Sequence, residues 1–180
     1  MKISTEELRQ NLIERTRKII NRVEQLRNLP VEVLNKKVNT ESWSILECLE
    51  HLNLYGDYYN PEIKRVLMNN RTQPEQQFKG SILGNYFEKS MLPKEKLNTM
   101  KTFKDKDPIG SNLGIETIDR FLKQQHELLN LIEDSKKVSL IKTKNNISIS
   151  KFLKLRVGDT FRFIVAHNER HILQAEKTIK

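Results

Sequence analysis

A chain of 180 residues, 37% hydrophobic and 31% charged, has the size of one domain spanning 1–180 with one core. Few glycines and prolines, with no repeat or low-complexity tract, exclude collagen-like and disordered chains. The net charge of +9 raises nucleic acid as a partner, but the lysines are dispersed over 94–106, 136–144 and 151–156, which reads as a solvated basic surface.

The single cysteine, Cys48, excludes an intrachain disulfide and a cysteine-based zinc site. We read it as a small buried residue, compatible with a reducing cytosol. No apolar run follows Met1, and no segment approaches the roughly 20 apolar residues that span a bilayer. The expectation is a cytoplasmic protein with neither a membrane nor a nucleic-acid partner.

Residues 4–28 read as a first helix. Ser4 and Glu7 have the spacing of a capping box, and Leu8, Leu12, Ile13, Ile19, Ile20, Val23 and Leu26 form one apolar stripe. Leu29-Pro30 ends it, and a connector with an apolar patch at 31–34 follows. A second capping box, Ser44 with Glu47, opens a second helix over 44–69. Its core stripe is Ile45, Leu49, Leu52, Tyr59, Ile63 and Val66. Beside that stripe run Glu47, His51, Tyr55, Tyr58 and Glu62.

Residues 70–114 form a long connection, punctuated by Pro93, Pro108, Gly110 and Gly114, with a short helix expected within 81–92. A crossover of this length lets consecutive helices run parallel. A third helix is expected over 115–135, with Ile115, Ile118, Phe121, Leu122, Leu129 and Ile132 facing inward. Residues 136–156 alternate in part, at 138–141 and 147–155, without enough length or turn chemistry to predict a sheet. A fourth helix runs over 158–179. Four amphipathic helices imply an all-α four-helix bundle.

The fourth helix carries Ala166-His167-Asn168-Glu169-Arg170-His171-Ile172-Leu173-Gln174. Its two histidines are four apart and share one helical face. Chance supplies such a pair often enough that it needs a third ligand to carry weight. His51 lies about 10 Å into the second helix and the His167/His171 midpoint about 15 Å from the end of the fourth. Antiparallel packing of these two helices puts them at a similar level and allows a three-histidine site. Three protein ligands with an open position is the catalytic pattern for zinc, and imidazole suits nickel or iron equally. Glu47, one turn before His51, is a candidate acceptor for that ring, although its capping role explains it. Tyr55 and Tyr58 are candidate pocket residues. His126 has no partner at useful spacing.

Trp43-Ser44-Ile45-Leu46-Glu47-x3-His51-Leu52 resembles the first motif of the DinB/YfiT-like proteins, and His167-Asn168-Glu169-Arg170-His171-x2-Gln174 resembles their last. The resemblance spans nearly the whole chain. It implies an up-down-down-up bundle with a long crossover between the second and third helices. It further implies a divalent metal on His51, His167 and His171, and a homodimer. It implies a metal-dependent enzyme, a hydrolase or a thiol S-transferase, using a low-molecular-weight thiol as co-substrate with a small-molecule substrate. Gln174 is a candidate residue beside the ligands. The competing expectation is a metal-stabilised binding or stress-response module without catalysis.

Overall fold

The computed structural model describes residues 2–92 and 102–179, with the Lys151 side chain excepted. Four long helices surround one core: α1 (Thr5–Leu26), α3 (Ile45–Asn69), α5 (Glu116–Asp134) and α6 (Val157–Glu176). Each packs on two others, since α3 and α1 both contact α5 and α6. Of the two expected capping boxes, the one at Ser44 forms completely and the one at Ser4 by one half. Ser4 Oγ accepts the Glu7 N–H at 3.0 Å. Ser44 and Glu47 form both halves of a capping box, at 3.1 and 2.9 Å, which satisfies two N–H groups that a helix start leaves unpaired.

The predicted stripes fill the core. Leu12, Val23, Ile45, Leu49, Ile63, Phe121 and Ile132 are all buried. Burial of each such side chain stabilises the fold by about 1.5–3 kcal/mol. Two inward assignments on α5 need correction. Leu128 is buried where Leu129 was expected, and Leu129 packs at the margin. Ile115 precedes the helix and is exposed.

Polar pairs set the register between helices. Arg15 forks onto Glu169 at 2.8 and 2.6 Å, and one α1 heptad later Arg22 pairs with Glu176. Asn53 donates to the Thr117 carbonyl at 3.0 Å and Asn60 to the Gln124 carbonyl at 2.9 Å. Gly56 lies between these two asparagines. A Cβ there would collide with the Gln124 side-chain amide, so glycine leaves room for that amide, which donates to the Asn53 carbonyl and to Asp57 on α3.

The connections carry more structure than expected. The 31–34 patch is a single helical turn, α2 (Val31–Leu34). β1 (Lys2–Ser4) pairs antiparallel with β2 (Gln77–Lys79), which ties the N-terminus to the crossover. The helix expected within 81–92 is α4 (Ile82–Met91), packed on α6. The sheet not predicted at 136–156 is present: β3 (Lys144–Ile147) and β4 (Ser150–Arg156) form an antiparallel hairpin. Alternation at 147–155 belongs to it, whereas 138–141 is a buried turn. Pro93 and the start of the basic run at 94–106 lie outside the described residues. Among the described residues no helix is long and apolar enough to cross a membrane.

Candidate metal centre

His51 sits on the second turn of α3, one turn after the Ser44–Glu47 cap, and His167 and His171 sit one turn apart on α6. Packing of α3 on α6 brings the three imidazoles together and buries all of them. Their candidate donor nitrogens lie within 4.8 Å of one another. His51 Nε2 and His167 Nε2 are 3.2 Å apart. Two nitrogens on a tetrahedral ion at about 2.0–2.1 Å each would be separated by about 3.3 Å, so this spacing fits an edge of such a site.

Two contacts decide which nitrogens are free to ligate. His51 Nδ1 lies 2.7 Å from the Lys106 carbonyl oxygen. A carbonyl only accepts, so Nδ1 donates and the lone pair falls on Nε2, which faces His167. His171 Nδ1 lies 3.0 Å from Gln174 Oε1, which orients that ring in the same manner. The donor set therefore suits a divalent ion.

Charge state agrees with geometry. Burial pushes His51 down to about 4, partly offset by its bond to Lys106. Burial, then the neighbouring imidazoles and Arg170, hold His167 and His171 well below the ordinary histidine range. All three are neutral at pH 7, the form that ligates metal. An acid instability of the metal-free protein follows. Unfolded imidazoles take up protons near 6.5, while folded His51 does so only near about 4. Between these values the unfolded chain binds more protons, so stability must fall as pH is lowered from about 6.5 to 4. Urea midpoints of chelator-treated protein across this range test it. A flat profile contradicts the assignment of neutral buried rings.

A cleft of about 870 Å³ reaches the cluster. Trp43 packs at 4.7 Å from His51 and 5.6 Å from His171, between ring centroids. Phe163 stacks on His167 at 5.6 Å. Tyr55 lies 5.0 Å from His51, and burial pushes its hydroxyl up to about 12, so it stays protonated at neutral pH.

Two expected site residues are placed differently. Glu47 does not hold the His51 ring. Its carboxylate accepts from the Ser44 N–H, the Lys37 ammonium and the Gly110 N–H, and the acceptor for His51 is a main-chain carbonyl from the 104–106 turn. Burial alone would raise the Glu47 pKa, but these three donors hold it below the usual carboxylate value. Tyr58 packs beside the core and does not line the cleft; Tyr59 does. The Tyr59 hydroxyl reaches Ser148 Oγ at 3.3 Å, because the hairpin forms the facing wall. Cys48 is fully buried and burial raises its thiol, which argues against a nucleophile. His126 is exposed on α5 and stands apart from the cluster.

Lys106, Phe163 and Tyr59 were not singled out from sequence as site residues. Phe163 had a usable signal, since it lies one turn before His167 on the same face. Lys106 had none, because it acts through its main-chain carbonyl.

The architecture and the cluster define a class: a helical bundle with a buried trio of histidines beside a cleft. A sequence profile of the DinB superfamily matches residues 11–175, and the chain belongs to that superfamily. No curated protein and no solved structure matches it.

Proposed function

We propose that His51, His167 and His171 hold one divalent metal ion, and that the protein is a metal-dependent thiol S-transferase. The observation that carries this reading is the orientation of the trio. Lys106 and Gln174 occupy the Nδ1 protons of two rings and leave their Nε2 atoms for an ion. Zinc, nickel and iron all suit three imidazoles. Three protein ligands leave a coordination position for a substrate.

When bound, the ion would supply Lewis acidity that lowers a thiol's pKa from about 8.5 and yields thiolate at neutral pH. The chain's own residues do the remainder. Neutral histidines keep their lone pairs available. Trp43, Tyr55 and Phe163 limit water around the cluster, and the cleft admits a second small molecule. The thiol proton would pass to water, and the thiolate sulfur would attack an electrophilic carbon whose leaving group departs with the bonding pair.

The up-down-down-up order belongs to the same proposal. It is supported by the heptad-matched Arg15–Glu169 and Arg22–Glu176 pairs, which fit parallel α1 and α6. The Asn53–Thr117 and Asn60–Gln124 pairs fit parallel α3 and α5. A non-catalytic metal-stabilised module would need no cleft of this size beside the ligands.

Metal analysis of protein purified without a histidine tag is the test. We expect about one equivalent of divalent metal per chain, and conjugation of a small thiol to a generic electrophile that stops on chelation. Absence of stoichiometric metal, with conjugation unchanged by chelator, contradicts the proposal.

A further inference from the structure

The walls of the cleft differ in composition. Its charged lining residues are Glu41, Lys104, Asp107 and Arg170. Trp43, next to Glu41 and Ser42, touches His51 and His171. A chain of rings leads away from His167. Phe163 stacks on it, Phe87 packs on Phe163 at 6.0 Å, and Tyr86 packs on Phe87 at 5.7 Å. The hairpin adds Ile147, Ile149 and Leu155 to the lining. Among the described residues, α4 and the hairpin add no charged side chain to the lining.

The outer part of this wall is exposed. Tyr86 and Ile149 are large apolar side chains open to solvent at the cleft, and Ile149 is 42% accessible. Neither contributes to the core. Exposed apolar groups that converge on a concave site mark a binding surface more often than scattered ones do.

We infer that the arm between α4, the β3–β4 hairpin and Phe163 binds an uncharged apolar molecule or apolar moiety. This deepens the transferase reading, on which its catalytic meaning rests. The second substrate would be an electrophile with a hydrophobic body, held over Phe163 and Phe87, and its reactive carbon would lie toward His167. The polar wall beside Trp43 would take the hydrophilic thiol.

Fluorescence titration of the full chain with an uncharged naphthylamine dye (N-phenylnaphthylamine) tests the arm directly, since the dye needs neither metal nor thiol. Saturable binding at one dye per chain is expected. Ile149→Asp should weaken it at least about tenfold, because a carboxylate is costly to desolvate against apolar walls. Tyr86→Asp is a second variant at an exposed position, should the first disturb the hairpin. Phe152→Asp is the control. Phe152 is 96% exposed on the same hairpin but does not line the cleft, so its loss should leave binding unchanged. Absence of saturable binding overturns the inference. So does indifference to both cleft variants, or an equal loss in Phe152→Asp, which would indicate adsorption to exposed apolar surface. Those failures leave the metal proposal standing. If the metal analysis finds no stoichiometric metal while the dye binds as expected, the metal proposal fails and the apolar arm stands.

Discussion

His167→Ala should lower metal affinity by at least about 100-fold. Losing an orienting partner of a ligand costs 10–100-fold, and losing the ligand itself should cost more. His167 lies close to both other members, with its Nε2 3.2 Å from that of His51 and its ring centroid 4.7 Å from that of His171. Thermal unfolding with and without added metal supplies a second readout. A ligand present at 100 times its Kd stabilises the native state by about 2.7 kcal/mol. Wild-type protein should show a metal-dependent rise in Tm, and the variant should show almost none at the same concentration. A variant that still holds one equivalent of metal after dialysis would remove His167 from the ligand set. Gln174→Leu should have the smaller effect of a lost orienter, which separates holding a metal from aiming a ring.

Arg162→Ala should destabilise the fold by about 3 kcal/mol. Breaking a buried pair from one side leaves an uncompensated charge, at about 3–5 kcal/mol, and the partial exposure of Arg162 places it at the lower end. Arg162 bonds Asp159 at 3.0 Å and Asn85 at 2.9 Å, and it pairs with Glu88. Asp159 is fully buried and also accepts the Ser81 N–H at 3.1 Å. This network fastens α4 to α6, and α4 supplies Phe87 and Tyr86 to the cleft wall. Faster amide exchange over 82–91 should therefore accompany the lower urea midpoint. Asp159→Asn combined with Arg162→Met should recover part of the loss, because the fully buried carboxylate is then removed and only the part-exposed Glu88 has lost its partner. A full-strength midpoint in Arg162→Ala would mean that the network does not stabilise the fold.

The helices and the three histidines were legible because helix signals are local. A stripe at 3.6-residue spacing, a Ser-x-x-Glu cap and a His-x3-His face each lie within one or two turns of chain. The hairpin was harder to see. Its alternation over 147–155 is short, it has no strong turn dipeptide, and its inner face is completed by residues distant in sequence, such as Tyr59 against Ser148. The error over Tyr58 and Tyr59 follows from it. A helical wheel places Tyr58 near the His51 face, but the facing wall decides which side chain lines a cleft. Ile115 was misplaced for a related reason: it satisfies the stripe but stands before the first turn of α5, where no neighbouring helix covers it.

The amino-acid order by itself determined four amphipathic helices, the capped starts of α1 and α3, and the identity of three histidines that share a face or a depth. Only the tertiary structure decided that Lys106 holds the His51 ring, that Glu47 instead anchors Lys37 and Gly110, and that α4 and the hairpin build an apolar arm beside His167. The division has one physical cause. Periodicity and capping are energies between residues a few positions apart, whereas a carbonyl acceptor or a cleft wall is defined by which distant segments the packed core brings into contact.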